Sequence, residues 1–179
     1  ALEGNAIVNL LPRLQATITT NSGNVIRSDP ALNDLLVANT QPYSPSKYRV
    51  TRRNNSNELI LDQRQLSSGI LCSTWIGRGA WIEKSVNLSE LPMQVSERST
   101  HYLFHARELP RNEQVPENLG YIDWTHQETT IVADMHRGFV VSDGWDEYPF
   151  NRGSVITIDL QGPCLKLLTF RRTLLSENE

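Results

Sequence analysis

From residue 47 to residue 172 the chain is divided into short runs rich in β-branched and aromatic residues, spaced roughly ten residues apart and bounded by Gly, Pro, Asn or Asp. Such punctuation leaves little room for helices and favours antiparallel strands joined by tight turns. The runs are 47–53, 58–63, 70–76, 80–86, 101–107, 120–126, 129–135, 138–143, 154–160 and 164–172. Three junctions predict hairpins: the Asn-rich 54–57, the stretch before Gly138, and the stretch around Gly162.

The first 40 residues read differently. Ile7, Leu10, Leu11, Leu14 and Ile18 recur at a helical spacing, with Pro12 expected to kink or start the helix. A second helix is expected after Ser28 and Asp29, with Pro30 in its first turn and Leu32, Leu35 and Leu36 as its buried stripe. The predicted fold class is therefore α+β: a mainly antiparallel barrel or strongly bent sheet with two N-terminal helices packed on it. Residues 1–179 are expected to form a single domain with a helical start (1–40), a β-rich body (46–173) and a frayed tail (174–179). The expected core comprises Leu14, Leu35, Val50, Leu59, Leu61, Ile70, Cys72, Leu103, Ile131, Val140, Val155, Ile158 and Leu168.

Charge narrows the partners. A net charge of −3 and a pI near 5.8 argue against nucleic acid or an anionic membrane surface as the partner. No apolar run approaches the roughly 20 residues of a spanning helix. The cations are 14 Arg against 3 Lys, a bias that suits forked recognition of carboxylate or phosphate and equally reflects codon usage. Cys72 and Cys164 fit a disulfide closing a long loop as well as two free thiols. The first residue is Ala1, which is compatible with a processed N-terminus and leaves localisation open.

Three constellations carry chemistry. His101 and His105 share a side of the chain in helix or strand, and Asp134 and His136 are spaced to share a strand face. If any metal is bound, these four are its expected ligands; no metal or cofactor is favoured. Aromatic and acidic residues in 142–154, notably Trp145 and Tyr148, suit a ligand or partner surface. Arg49, Arg53, Arg78 and Arg107 are candidates to hold an anion, against a charge-guarded edge strand as the plainer explanation. Gly-x-Ser-x-Gly, Walker, dinucleotide-fingerprint and Cys-x-x-Cys motifs are all missing.

The leading functional expectation is a non-catalytic binding or interaction module, as a secreted or assembly-forming subunit, whose contact surface is the 108–120 and 142–152 loops and whose partner is a protein or a small anionic ligand. Oligomerisation fits this reading. The alternative is a small enzyme of lyase or isomerase type, acting on an anionic metabolite in a β-rich cavity. There Arg49 or Arg78 would hold the anion and His101, Glu108 or His136 would move the proton.

Overall fold

The computed structural model describes residues 6–109, 120–170 and 175. Among these residues twelve strands build two open antiparallel sheets, and helical geometry is confined to four 3₁₀ turns within 76–97. The first sheet has the order β2 (Val25–Arg27), β1 (Ile7–Thr19), β12 (Val155–Thr169), β9 (Thr129–Ala133), β4 (Ser46–Arg53) and β5 (Leu59–Ser67). The second runs β11 (Glu147–Asn151), β10 (Arg137–Ser142), β3 (Asp34–Asn39), β6 (Ile70–Thr74), β7 (Tyr102–Ala106) and β8 (Ile122–Thr125).

The expected α+β class is thus corrected: the described N-terminal residues form no helices, and neither sheet closes into a barrel. Both supposed helices are strands. In β1 the side chains of Leu14, Ala16 and Ile18 are buried while Arg13, Gln15 and Thr17 are only half-buried, a period of two that coexists with the helical spacing in the same residues. Pro12 falls where the β1/β12 register shifts, the place in a sheet where a missing N–H is tolerated. In β3, Leu35 and Val37 alternate inward in the same way. The decisive force is long-range pairing: β1 lies against β12 over nearly its whole length, which supplies partners that no isolated helix could match.

Each sheet turns one face to a shared core. Leu14, Ile18, Val50, Ile131, Ile156 and Ile158 from the first sheet meet Leu35, Ile70, Cys72, Phe104, Val140 and Phe150 from the second. A smaller cluster of Leu71, Ile82, Leu103 and Ile122 lies on the other face of the second sheet, with Val86, Leu88 and Leu91 packed against it. Of the expected core residues, Leu59 and Leu168 are exposed and Val155 is half-buried; the other ten are buried.

Several local expectations change. The 54–57 turn is a hairpin between β4 and β5, with Asn57 at φ 64°. Residues 134–136 instead carry the chain from the first sheet to the second, and Gly138 lies inside β10, where the Phe150 ring occupies the space a Cβ would need at 2.3 Å. Gly162 lies within the continuous β12, and 80–86 forms a 3₁₀ turn, Ile82–Lys84, with its flanks. Cys72 and Cys164 are both free, Cys72 in the core and Cys164 exposed on β12, which removes the disulfide expectation.

Candidate functional site

The most chemically unusual place is the start of β3. The backbone at Leu32, Asn33 and Asp34 is gripped from three sides. Asp143, in the β10–β11 turn at φ 50°, accepts the N–H of Leu32 at 2.7 Å, of Asn33 at 2.8 Å and of Asp34 at 3.0 Å. Thr74 at the end of β6 donates its hydroxyl to Leu32 O at 2.5 Å and accepts the Gly77 N–H at 3.0 Å. Gly77 itself packs on Asn33 so closely that a Cβ would sit 2.3 Å from the Asn33 carbonyl oxygen. Asp34 is thereby held in one position.

That position is costly for a carboxylate. Asp34 is 8% exposed; its Oδ2 accepts the Trp81 N–H at 3.2 Å, and its Oδ1 has no hydrogen-bond partner among the described residues. Burial raises its pKa above the ordinary carboxyl value; Ser73 and the Trp81 N–H oppose the rise, and neighbouring Asp143 adds to it. Asp34, Asp143 and Gly144 border a cleft of about 270 Å³ whose apolar walls include Leu36, Leu71 and Val141. Trp81, 45% exposed, forms another wall, and the Arg107 guanidinium lies 4.9 Å from its ring centroid. A buried carboxyl and an exposed indole thus border one cleft, and a guanidinium lies on that indole. Together they suit a ring, a hydroxyl-bearing linker and an anionic group.

A wider hollow of about 860 Å³ lies beyond, between the 3₁₀ segments and Trp124. Trp75 on its wall has the guanidinium of Arg78 at 4.2 Å from its ring and that of Arg98 at 4.1 Å.

The residues singled out from sequence are dispersed. Arg49 projects from the outer face of β4 and forms a two-pronged ion pair with Asp62, both contacts 2.5 Å, which holds the Asp62 carboxyl below its ordinary range. Arg53 donates to Asn57 O at 2.9 Å. Glu108, at φ 54°, accepts from the Ser68 hydroxyl just beyond one end of β7, and His101 stands just before the other. His136 is exposed by a cleft of about 390 Å³ that includes Lys47, Arg137 and the Asp134–Arg152 ion pair of 2.5 Å. Trp145 is 80% exposed in its turn, whereas the Tyr148 hydroxyl accepts the Asp29 N–H at 3.1 Å. Residues 110–119 of the 108–120 contact loop, and most of the tail beyond 173, lie outside the described residues.

No three His, Cys, Asp or Glu side chains converge for a metal among the described residues, so His101, His105, Asp134 and His136 do not meet at one point. His105 is buried edge-to-face against Tyr121, ring centroids 5.9 Å apart. Burial holds its imidazole below the ordinary value of 6.5; a hydrogen bond with the Tyr121 backbone opposes this and Arg107 reinforces it. A group whose folded pKa is depressed in this way binds more protons when unfolded. The stability that neutral His105 contributes is therefore complete above pH 6.5 and is lost as pH falls through the lower folded value. His105→Phe is expected to flatten the fall in melting temperature below that pH, checked by calorimetry across the acid range.

Sequence reasoning missed Asp34 and Trp81 as site residues. The available signals were a lone acid inside the apolar run "LNDLLV" and the "SDG" turn that supplies Asp143.

The two-sheet antiparallel fold is shared with solved structures. Two solved structures share it: an NAD kinase from Archaeoglobus fulgidus in complex with ATP (TM-score 0.61, 17% identity, 92% of this chain and 55% of that one), and yeast NADH kinase complexed with NADH (TM-score 0.63, 13% identity, 90% of this chain and 43% of that one). The chain thus spans about half the length of each. No protein-family model matches it, and no curated protein is similar to it in sequence. Sharing its fold with two kinases corrects the expectation of a non-catalytic interaction module. No described helix is long and apolar enough to cross a membrane.

Proposed function

We propose that this chain is the nucleotide-binding part of a phosphoryl-transfer enzyme, and that it holds an adenine-containing dinucleotide in the cleft between Asp34, Trp81 and Asp143. The observation that carries the reading is that the buried Asp34 carboxyl and the exposed Trp81 ring border the same cleft. A carboxylate can accept a ribose hydroxyl, and an indole can stack a base. The Arg107 guanidinium on the Trp81 ring supplies a positive charge nearby. The ligands of the two solved kinases, ATP and NADH, have this same combination of base, ribose and phosphates. The anionic-metabolite enzyme foreseen as the alternative thus takes a specific form, with phosphoryl transfer in place of lyase or isomerase chemistry. Asp34 acts here as a binding acceptor, held in place by Asp143, Thr74 and Gly77.

Calorimetric titration of the chain with NADH, NAD and ATP tests the reading. Saturable binding of at least one is expected, with Trp81→Ala weakening it by about 1 to 3 kcal/mol, roughly 5- to 150-fold, the range for a base stacked on an aromatic side chain. Absence of binding by all three at millimolar concentration, or unchanged affinity in Trp81→Ala, would overturn it.

A further inference from the structure

His101 has a partner that its own strand does not supply. β7 and β8 pair in antiparallel register with Tyr102 opposite Thr125, so one step further along the ladder His101 stands opposite His126. Directly opposed side chains on neighbouring strands start roughly 5 Å apart at Cβ, which is close enough for two imidazoles to meet. They do meet: His101 Nε2 and His126 Nδ1 are 3.2 Å apart, and the ring centroids 4.9 Å.

The outer nitrogens are tied down as well. His101 Nδ1 is 3.0 Å from the Thr100 hydroxyl, and the Gln127 side-chain nitrogen is 3.1 Å from His126 Nε2. Gln127 Oε1 is occupied by the Thr125 hydroxyl at 3.0 Å, so its amide N–H₂ faces His126 and must donate. For two neutral rings this network is satisfied by one pair of tautomers. His126 carries its proton on Nδ1 and donates to His101 Nε2, and His101 donates from Nδ1 to Thr100. Pinning the outer nitrogen of each ring is how proteins orient imidazoles that face a metal.

From this geometry we infer that His101 and His126 form a binding site for a divalent transition-metal ion, with His101 Nε2 and His126 Nδ1 as the protein ligands. Two nitrogens about 2.0–2.1 Å from a tetrahedral ion stand roughly 3.3 Å apart, so the separation of the pair already matches, and the rings need only turn to aim both lone pairs at the ion. The proton now on His126 Nδ1 shifts to Nε2, and the Gln127 amide turns its oxygen to accept it. No proton leaves the protein. Imidazole pairs favour Zn²⁺, Ni²⁺ and Cu²⁺ over Mg²⁺ or Ca²⁺. Two protein ligands leave the remaining positions to water or to an anionic group from a bound molecule. β8 is the edge strand of its sheet and His126 is exposed, so the ion reaches the pair from solvent. The site is separate from the Asp34 cleft and does not depend on its ligand.

The test is a Zn²⁺ titration of the full chain by calorimetry, in a Cys164→Ser background that removes the exposed thiol. One ion per chain is expected, together with a zinc-dependent rise in melting temperature. His101→Gln and His126→Gln should each weaken binding on the order of tenfold or more and abolish the rise, while His136→Gln, at another exposed histidine, should change neither. Melting curves without metal establish that the variants are folded, and if either unfolds, His101→Asn or His126→Asn takes its place. No binding up to millimolar Zn²⁺, or binding by the His101→Gln and His126→Gln variants as tight as that of the unsubstituted histidines, would overturn the assignment.

Discussion

Asparagine in place of Asp34 is expected to give a more stable protein that binds its nucleotide less well. The direction follows from the raised pKa of Asp34. A carboxyl whose folded pKa lies above its unfolded value of 3.8 contributes stability that is complete below that value and is lost as pH rises through the folded one. At neutral pH the largely buried carboxyl group therefore costs stability. The asparagine side chain would keep an oxygen for the Trp81 N–H and carry no charge. The gain should be about 0.5 to 2 kcal/mol, or several degrees in melting temperature for a chain of this size, and should vanish at acid pH where Asp34 is protonated in both states. Binding moves the other way. Loss of hydrogen bonds to a charged acceptor costs about 1.5 to 3 kcal/mol, roughly 10- to 150-fold in affinity. Melting curves against pH and NADH titration of the same variant read both effects. A variant that melts lower at neutral pH contradicts the burial argument, and one that binds NADH as tightly removes Asp34 from the site.

The same tension explains why the site was hard to read from the sequence. Period-two alternation in 46–53 and the Asn-rich turn after it identify β4 and its hairpin, because one buried face and one local turn suffice to specify them. β1 and β3 were misread because their apolar residues satisfy both the helical and the strand period, and only pairing with β12, β10 and β6 decides between them. Residues 80–86 carry strand-forming side chains yet lie over the outer face of the second sheet as a 3₁₀ turn, where Ile82 buries itself beside Leu71 and Leu103. The candidate site lies where two of these pieces meet a turn. Asp34 comes from β3, Trp81 from the segment expected to be a strand, and Asp143 from a turn foreseen as a contact surface. The His101–His126 pair escaped for a related reason: spacing along one strand pointed to His105, while the structural neighbour lies across the ladder.

Arg52→Met is expected to destabilise the protein by about 3 to 5 kcal/mol, the cost of leaving one member of a buried ion pair unpaired. Alternation on β4 puts Arg52 on the inward face with Tyr48 and Val50, where it is 1% exposed. Its Nη1 pairs with Asp123 of β8, its Nε donates to Thr129 at 2.8 Å, and its guanidinium lies over Phe104, 4.5 Å from the ring centroid. It is a bolt between the first sheet and the edge strand of the second. Burial raises the pKa of Asp123, and Arg52 is the main force opposing that rise; without Arg52 the carboxyl pKa moves further above its unfolded value of 3.8. The deficit of Arg52→Met should then grow as pH rises and be smallest in acid, because the cost is that of the ionised carboxylate. Replacing both partners, as Arg52→Met with Asp123→Leu, removes the charge together with its counter-charge and should recover most of the loss. Urea unfolding of the wild type, both single variants and the double variant gives the coupling directly. Additive losses would mean that Arg52 acts through its packing on Phe104 rather than through Asp123. Because Asp123 anchors β8 and His126 follows that strand, Arg52→Met should also speed hydrogen exchange along β8 before it affects β3 or β6.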